Sequence, residues 1–338
     1  MGTQKIKCAV VGYGKNFNFG RMHGRWISSC ENLELVAVCD VDPESRERAK
    51  RDFPGIVTYE SVDKLVESPG IDLVTIVTPH YTHADIAMKS LRAGKNVLVD
   101  KAMATSVEKC TEMIKEAECN KKSLAVFHNR RHDGNYRIIK KIIDDGVIGD
   151  VFHIECCEER WERPIDWWYS SNEASGGLFF FWGPHAVDWV INLVPHRISY
   201  VTGFTQKRVW NHVEIDDDIR TMIKFENGTT AMINFSFISS ANRPLWRILG
   251  TKGAIVDTGK GPIPGATIPG YGEMVTAPPP QGASISVYNG RGICESKVPY
   301  MESDWNTYYL DLSEHLVNGK PLPVSGYEGR QIGRASCR

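Results

Sequence analysis

Five short apolar runs alternate with amphipathic stretches over the first 127 residues, and no other feature of the chain constrains its fold as tightly. The runs cover residues 6–11, 33–39, 72–77, 96–99 and 124–127. The first four end at Gly12, Asp40, Thr78-Pro79 and Asp100-Lys101. They are the length of strands buried on both faces. The stretches at 43–52, 83–93 and 106–120 read as helices, with Gly94 placed as a C-terminal cap and Ser106 as an N-cap. A parallel strand can return only through a long crossover, so strand and helix in alternation predict a doubly wound parallel sheet.

Beyond residue 128 the pattern changes. A helix is expected at 137–145, stopped by Gly146, and another at 184–193. Strands are expected at 151–157, 197–204, 219–225, 229–237 and 245–250, with Glu226-Asn227-Gly228 as a hairpin turn. Strands joined by turns make a mostly antiparallel sheet, so this part is α+β with an open sheet. Residues 259–282, rich in Gly and Pro, predict a long loop. The chain has 338 residues, too many for one ordinary core. Two domains follow, at 1–127 and 128–330. Phe235 and Phe237 are expected on the sheet's solvent side, which predicts a homo-oligomer, a dimer or tetramer. Residues 331–338 show no apolar period and read like a translated sequencing adapter, so they are expected to be a non-native tail that includes Cys337.

Charge excludes one class of partner. Lys+Arg number 40 and Asp+Glu 41, a net charge of −1, whereas a protein that lives on nucleic acid carries a basic excess. No apolar run approaches the ~20 residues of a membrane helix, so no membrane partner is expected. Residues 1–7 are polar and lead into the first run without a signal-peptide core, which predicts a cytoplasmic protein. The nine cysteines form no CxxC pair and fit reduced thiols. His80-x-x-His83 and His128-x3-His132 have metal-like spacing, but no carboxylate or cysteine cluster completes a site, so no metal is expected.

The chemistry-bearing residues sit at run ends. Val11-Gly12-Tyr13-Gly14 closes the first run and Gly20 opens the next helix. Gly12 permits a tight turn, Gly14 lets backbone approach a pyrophosphate, and a helix N-terminus offers unpaired N–H groups. Five residues separate Gly14 from Gly20, where the usual dinucleotide fingerprint has two. Asp40 closes the second run, where an acid accepts hydrogen bonds from adenosine ribose hydroxyls and repels a 2′-phosphate, so NAD is expected over NADP.

These segments, taken in order, resemble the Gfo/Idh/MocA family, the relatives of glucose–fructose oxidoreductase and inositol dehydrogenase. Gly12-x-Gly14 with Gly20-Arg21-Met22-His23 is similar to its cofactor loop. Thr78-Pro79-His80-x-x-His83 resembles its Thr-Pro-Asn-x-x-His segment, and Asp100-Lys101-Ala102 stands where it has Glu-Lys-Pro. Gly176-Gly177-x5-Gly183-x-His185-x2-Asp188 resembles its second-domain motif, with Phe181 in place of an aspartate. The resemblance implies a Rossmann-type first domain that binds NAD through Gly12, Gly14, Gly20, Asp40, Thr78, Pro79, His83, Asp100 and Lys101. It implies a second domain that binds substrate and carries the oligomer contacts.

Lys101 lies just past a strand end, where its charged form is disfavoured beside a cationic nicotinamide. His185, of a type with an unperturbed pKa of ~6.5, can take a hydroxyl proton as hydride leaves. Both are the expected catalytic residues. Arg131 can hold a hydroxyl or carboxylate bidentately, or form a structural ion pair. Asp188, one turn after His185, is the substitute for the missing aspartate. Trp161 and Trp167 can stack on the C–H face of a sugar. With His185, these are the expected substrate contacts. The implied function is hydride transfer between NAD and a hydroxyl-bearing carbon of a sugar, polyol or glycoside. Two other readings stand beside it: a redox-neutral glycoside-cleaving enzyme with tightly bound NAD, working through a keto sugar, and a non-catalytic NAD-binding regulator.

Overall fold

The five apolar runs form five strands, and a sixth joins them at the sheet edge. A computed structural model describes residues 5–14, 19–258, 267–268, 272–273 and 282–336. The chain divides into two units, the first made of residues 1–128, 268–272 and 306–333, the second of the rest.

In the first unit the elements run β1 (Ile6–Val11), α1 (Phe19–Ser29), β2 (Leu33–Cys39), α2 (Pro43–Asp52), β3 (Val57–Tyr59), α3 (Val62–Val66), β4 (Leu73–Ile76), α4 (His83–Arg92), β5 (Asn96–Asp100), α5 (Val107–Cys119) and β6 (Leu124–Phe127). The sheet order is β3-β2-β1-β4-β5-β6, every pair parallel. Strand order reverses between β1 and β4, the crevice where open α/β sheets bind ligands. Helix α2 shows why these segments fold as they do. Asp42 caps it by accepting from the Ser45 N–H at 2.9 Å, Pro43 fits the first turn, and Lys50 and Arg51 sit at the negative end. The sequence reading missed β3, which has three residues and an exposed Val57.

The second unit contains α6 (Gly134–Asp144), β7 (Val151–Glu159), α7 (Asn172–Ser175), α8 (Phe179–Leu193), β8 (Ile198–Gln206), β9 (Asp218–Phe225), β10 (Thr230–Ser236), β11 (Trp246–Gly250) and β12 (Gly253–Asp257). A short ribbon of β13 (Thr267–Ile268) and β14 (Gly272–Glu273) precedes β15 (Ala283–Tyr288) and β16 (Ile293–Val298). The eight-stranded sheet runs β16-β15-β12-β11-β7-β10-β9-β8 and is antiparallel except for β7 beside β10. Gly228, at φ 89°, turns the β9–β10 hairpin as expected. Most of the expected 259–282 loop lies outside the described residues.

Three expectations are corrected. Phe235 and Phe237 are buried, packed with Leu178, Val213 and Ile215 beneath Phe181 and Trp182, so they offer no solvent face to a partner. The second domain does not run to residue 330. Helix α9 (Thr307–Asn318) and α10 (Gly326–Ser336) as far as Gly333 return to the first unit. There the Tyr308 hydroxyl donates to the Val126 carbonyl at 2.6 Å and the Tyr309 hydroxyl meets His23 Nδ1 at 2.5 Å. Residues 331–336 continue α10, with Ile332 and Ala335 three apart and buried, whereas the sequence reading sees no helical period there. Cys337 lies outside the described residues. No helix among the described residues is long and apolar enough to cross a membrane.

His23 lies among the rings of Trp26, Phe127 and Tyr309, and burial pushes its pKa down to about 3. Folding therefore favours the neutral ring. Its stabilising effect is complete above the unfolded value of ~6.5 and is lost as pH falls toward about 3. At pH 5 the cost is about 2 kcal/mol, 1.5 units below the unfolded value at ~1.4 kcal/mol per unit. Urea midpoints at pH 7 and pH 5 check this. The difference should shrink in His23→Gln, and an unchanged difference would show that the acid sensitivity lies elsewhere.

Candidate active site

The glycine turn after β1 is shaped by what surrounds it. Gly12 has φ +92°, and a Cβ there would lie 2.6 Å from the Val77 carbonyl oxygen. Gly20, in the first turn of α1, packs on the Gly12 carbonyl, where a Cβ would come within 2.4 Å. Gly14 differs: φ is +72°, yet a Cβ would meet nothing within 4 Å. Bare backbone therefore faces open space next to the first turn of an 11-residue helix, which fits a dinucleotide pyrophosphate. The insertion at 15–18 lies outside the described residues.

Asp40 has a structural task that the spacing does not reveal. Its Oδ2 accepts from the N–H groups of Tyr13 at 2.8 Å and Gly14 at 3.0 Å, and its Oδ1 from Asp42 at 2.8 Å. The carboxylate thus fastens the end of β2 to the turn after β1. Two arginines of α2 close the same corner. Arg46 donates to the carbonyls of Asp40 and Val41, and Arg48 to that of Gly14.

The ends of β4 and β5 are also joined. Thr78 packs by its methyl against Gly12 and shares a 2.6 Å hydrogen bond with Thr82, whose hydroxyl donates to the Pro79 carbonyl. His83, expected among the cofactor contacts, is fully buried. Its Nδ1 lies 2.8 Å from the Ala102 carbonyl oxygen and its Nε2 2.7 Å from that of Thr78. This corrects the expectation: both ring nitrogens face main-chain carbonyls, the neutral ring donating to one of them, so His83 is packed between the two strand ends without presenting surface to a cofactor. Burial, with Lys101 nearby, holds its pKa below the usual value. Asp100 accepts from the Lys101 N–H at 2.8 Å. Burial lifts it to about 6, against the downward pull of the Lys101 charge. Lys101 itself is half-buried at the carboxyl end of β5.

In the second unit His185 stands inside α8, not at a helix start, because α8 begins at Phe179. Pro184 invites the later start, being favoured in a helix's first turn. The His185 ring is buried, 5.0 Å from Trp182 edge to face and 6.5 Å from Trp189. Asp188 is engaged by other side chains. Arg131 holds Asp188 bidentately, with Nε–Oδ2 2.9 Å and Nη2–Oδ1 2.6 Å, and Asn192 donates to the same carboxylate at 3.1 Å. Both residues were expected to touch substrate. The structure makes them a buried ion pair, the structural alternative for Arg131. Phe181 fills the aspartate's place with an apolar ring packed on Tyr169 and Phe235. Trp161 is 56 % exposed with its edge toward Trp210, and Trp167 is half-buried and stacked on Tyr169.

From the sequence, Asn129-Arg130-Arg131 follows the fifth strand where the resembled family places substrate contacts, but only Arg131 is given a role of its own. The Arg130 guanidinium lies over the rings of Trp182 at 5.0 Å and Trp305 at 4.4 Å. A second arginine beside Arg131 after a strand end was the available signal.

Comparison with known proteins follows the same division. The family model described as "Oxidoreductase family, NAD-binding Rossmann fold" matches residues 6–128, and the GFO/IDH/MocA C-terminal domain model matches residues 136–256. The chain is 24 % identical over 346 residues to scyllo-inositol 2-dehydrogenase (NADP(+)) IolW of Bacillus subtilis, covering 97 % of this chain and 91 % of that one. It is 27 % identical over 257 residues to 2,7-anhydro-N-acetylneuraminate hydratase of Escherichia coli, covering 74 % and 67 %. Among solved structures it resembles an NAD-binding protein from Listeria innocua, with TM-score 0.80, 26 % identity and coverage of 98 % and 93 %.

Arg131→Met should leave the buried Asp188 carboxylate without its arginine, at a cost of about 3–5 kcal/mol. Chemical denaturation of this variant and of Arg131→Met with Asp188→Leu checks it. The double variant should recover part of the loss, and a stable single variant would mean that the pair is not structural.

Proposed function

Because this chain belongs to the Gfo/Idh/MocA family of oxidoreductases, we propose that it transfers hydride between NAD and a hydroxyl-bearing carbon of a sugar, polyol or glycoside. The observation that carries this reading is the position of Lys101. It follows the last residue of a strand two places from β1 in the sheet, next to an acid lifted to about 6 and beside a segment that packs on His83. In this reading Gly12, Gly14, Gly20 and the start of α1 hold the pyrophosphate. A free lone pair of Asp40 takes the ribose, and Thr78, Pro79, Asp100 and Lys101 line the nicotinamide end. When bound, NAD supplies the hydride acceptor. The Lys101 nitrogen donates a hydrogen bond to the substrate oxygen, and a His185 ring nitrogen takes the hydroxyl proton. Trp161 and Trp167 give the sugar an apolar face to lie on.

One finding favours a second reading. The similarity to a protein named as a hydratase supports a redox-neutral cleavage through a keto sugar, with NAD kept on the enzyme. Mixing the protein with NAD and a panel of sugars and glycosides separates the readings. NADH accumulates in the first and free aglycone without NADH in the second. Neither product would leave an NAD-binding regulator.

Asp40→Asn removes the charge and keeps an acceptor oxygen. Titrating both cofactors into it should show a narrower NAD-over-NADP preference than in the parent, and a parent that binds NADP more tightly would sink the assignment. Lys101→Met removes the proton-handling nitrogen at nearly constant length. Turnover should fall ~10²–10⁴-fold with NAD affinity nearly intact, and His185→Ala should do the same without adding to it. A Lys101→Met enzyme with parental turnover would place the chemistry elsewhere.

A further inference from the structure

Arg130 and Arg131 are adjacent in sequence but differ in what remains open to them. Three nitrogen–oxygen contacts between 2.6 and 3.1 Å commit Arg131 to Asp188. Arg130 makes one side-chain hydrogen bond, from Nη1 to Asp133 at 3.3 Å, and its side chain is 23 % exposed. A guanidinium carries five N–H donors, so most of the fork is uncommitted. Its position is nevertheless fixed. Indole rings lie 5.0 Å and 4.4 Å away, and its carbonyl accepts from Trp189 Nε1 at 2.9 Å. Asp133, which steadies it, is itself held by Trp305 Nε1 at 2.5 Å. The two indoles hold the cation by contact with their rings and leave its N–H donors for a ligand. With such donors arginine meets a carboxylate through two parallel hydrogen bonds. The ring of Trp182 in contact with Arg130 has the edge of His185 5.0 Å from its centroid. The expected proton acceptor and an oriented cation thus share one indole.

We infer that Arg130 anchors a carboxylate of the substrate, so that the substrate class is acidic sugars or their polyol acids in preference to neutral ones. This rests on the proposed reading that His185 faces the reacting hydroxyl. Asp133 leaves the pair close to neutral, so the gain comes from geometry and partial desolvation more than from net charge. A merely structural Arg130, packed against two tryptophans, would affect neutral and acidic ligands alike.

Calorimetric titration of the NAD-saturated protein with matched probes tests this: D-glucuronate against D-glucose, and D-galacturonate against D-galactose. The parent should bind at least one uronate tenfold or more tightly than its neutral partner. Arg130→Gln should erase that preference while changing neutral-sugar affinity less than threefold, and Arg130→Lys should keep only part of it. Equal affinity within both pairs, no detectable uronate binding, or a preference that survives Arg130→Gln overturns the inference. Should Arg130→Gln fail to fold, the parent's discrimination and the Arg130→Lys variant still decide. NADH formation in the same mixtures reads the oxidoreductase proposal separately. Uronate preference without NADH would leave the anchor standing and remove the dehydrogenase.

Discussion

Strand ends are where a parallel sheet stops satisfying its own backbone, and the first unit is organised around closing those ends. The Gly12 N–H donates to the Cys39 carbonyl and the Val77 N–H to that of Val11, both at 2.8 Å, so β1 is tied to each neighbour just past its last residue. The Asp40 carboxylate then gathers the next two N–H groups of the turn. Hydrogen bonds to a charged group contribute ~1.5–3 kcal/mol each, enough to hold a turn whose glycines have little intrinsic preference for it. His83 makes the corresponding link between the exits of β4 and β5. The result is a rim of fixed backbone at the switch point. Lys101 inherits its position from that rim.

Polar groups in the second unit are divided by the same accounting of partners. A buried carboxylate must be matched, and Arg131 matches Asp188 with two nitrogens while Asn192 donates to the same carboxylate. Arg130, half-buried like Arg131 in the same 3₁₀ turn, Asn129–His132, is held by indole rings and a single carboxylate. Ring faces orient a cation without consuming its donors, whereas a bidentate carboxylate consumes them. Neighbouring residues of one type can therefore carry a structural duty and a recognition duty.

Much of this was legible in the sequence because it is local. The boundaries of β1, β2 and α2, the Ser106 cap and the Gly228 turn follow from runs and punctuation a few residues long. What failed depends on distance. Arg131 and Asp188 are 57 positions apart, and nothing in the spacing of either reports the other. The roles of Asp40 and His83 turn on backbone groups at Gly14 and Ala102, whose directions the residue names do not encode. Strand β16, Ile-Cys-Glu-Ser-Lys-Val, is exposed along nearly its whole length and lacks the alternation that marks a half-buried strand. Helix α9 did leave a signal, since Tyr308 and Leu312 are four apart, yet it belongs to a unit whose sheet the chain had completed far earlier, at Phe127.

Pro184 shows how the second unit makes its aromatic residues into one assembly. A proline inside a helix removes an N–H and leaves the carbonyl four residues back, that of Phe180, without its helical donor. The Tyr169 hydroxyl lies 3.5 Å from that oxygen and 3.3 Å from the Phe181 oxygen. Tyr169 also stacks on Trp167 and packs against Trp168 and the edge of Phe181. The Tyr169 hydroxyl, within reach of both main-chain oxygens, ties the tryptophan-bearing segment to the helix that carries His185. Because the tie involves main-chain oxygens, side chains facing a ligand can change without disturbing it.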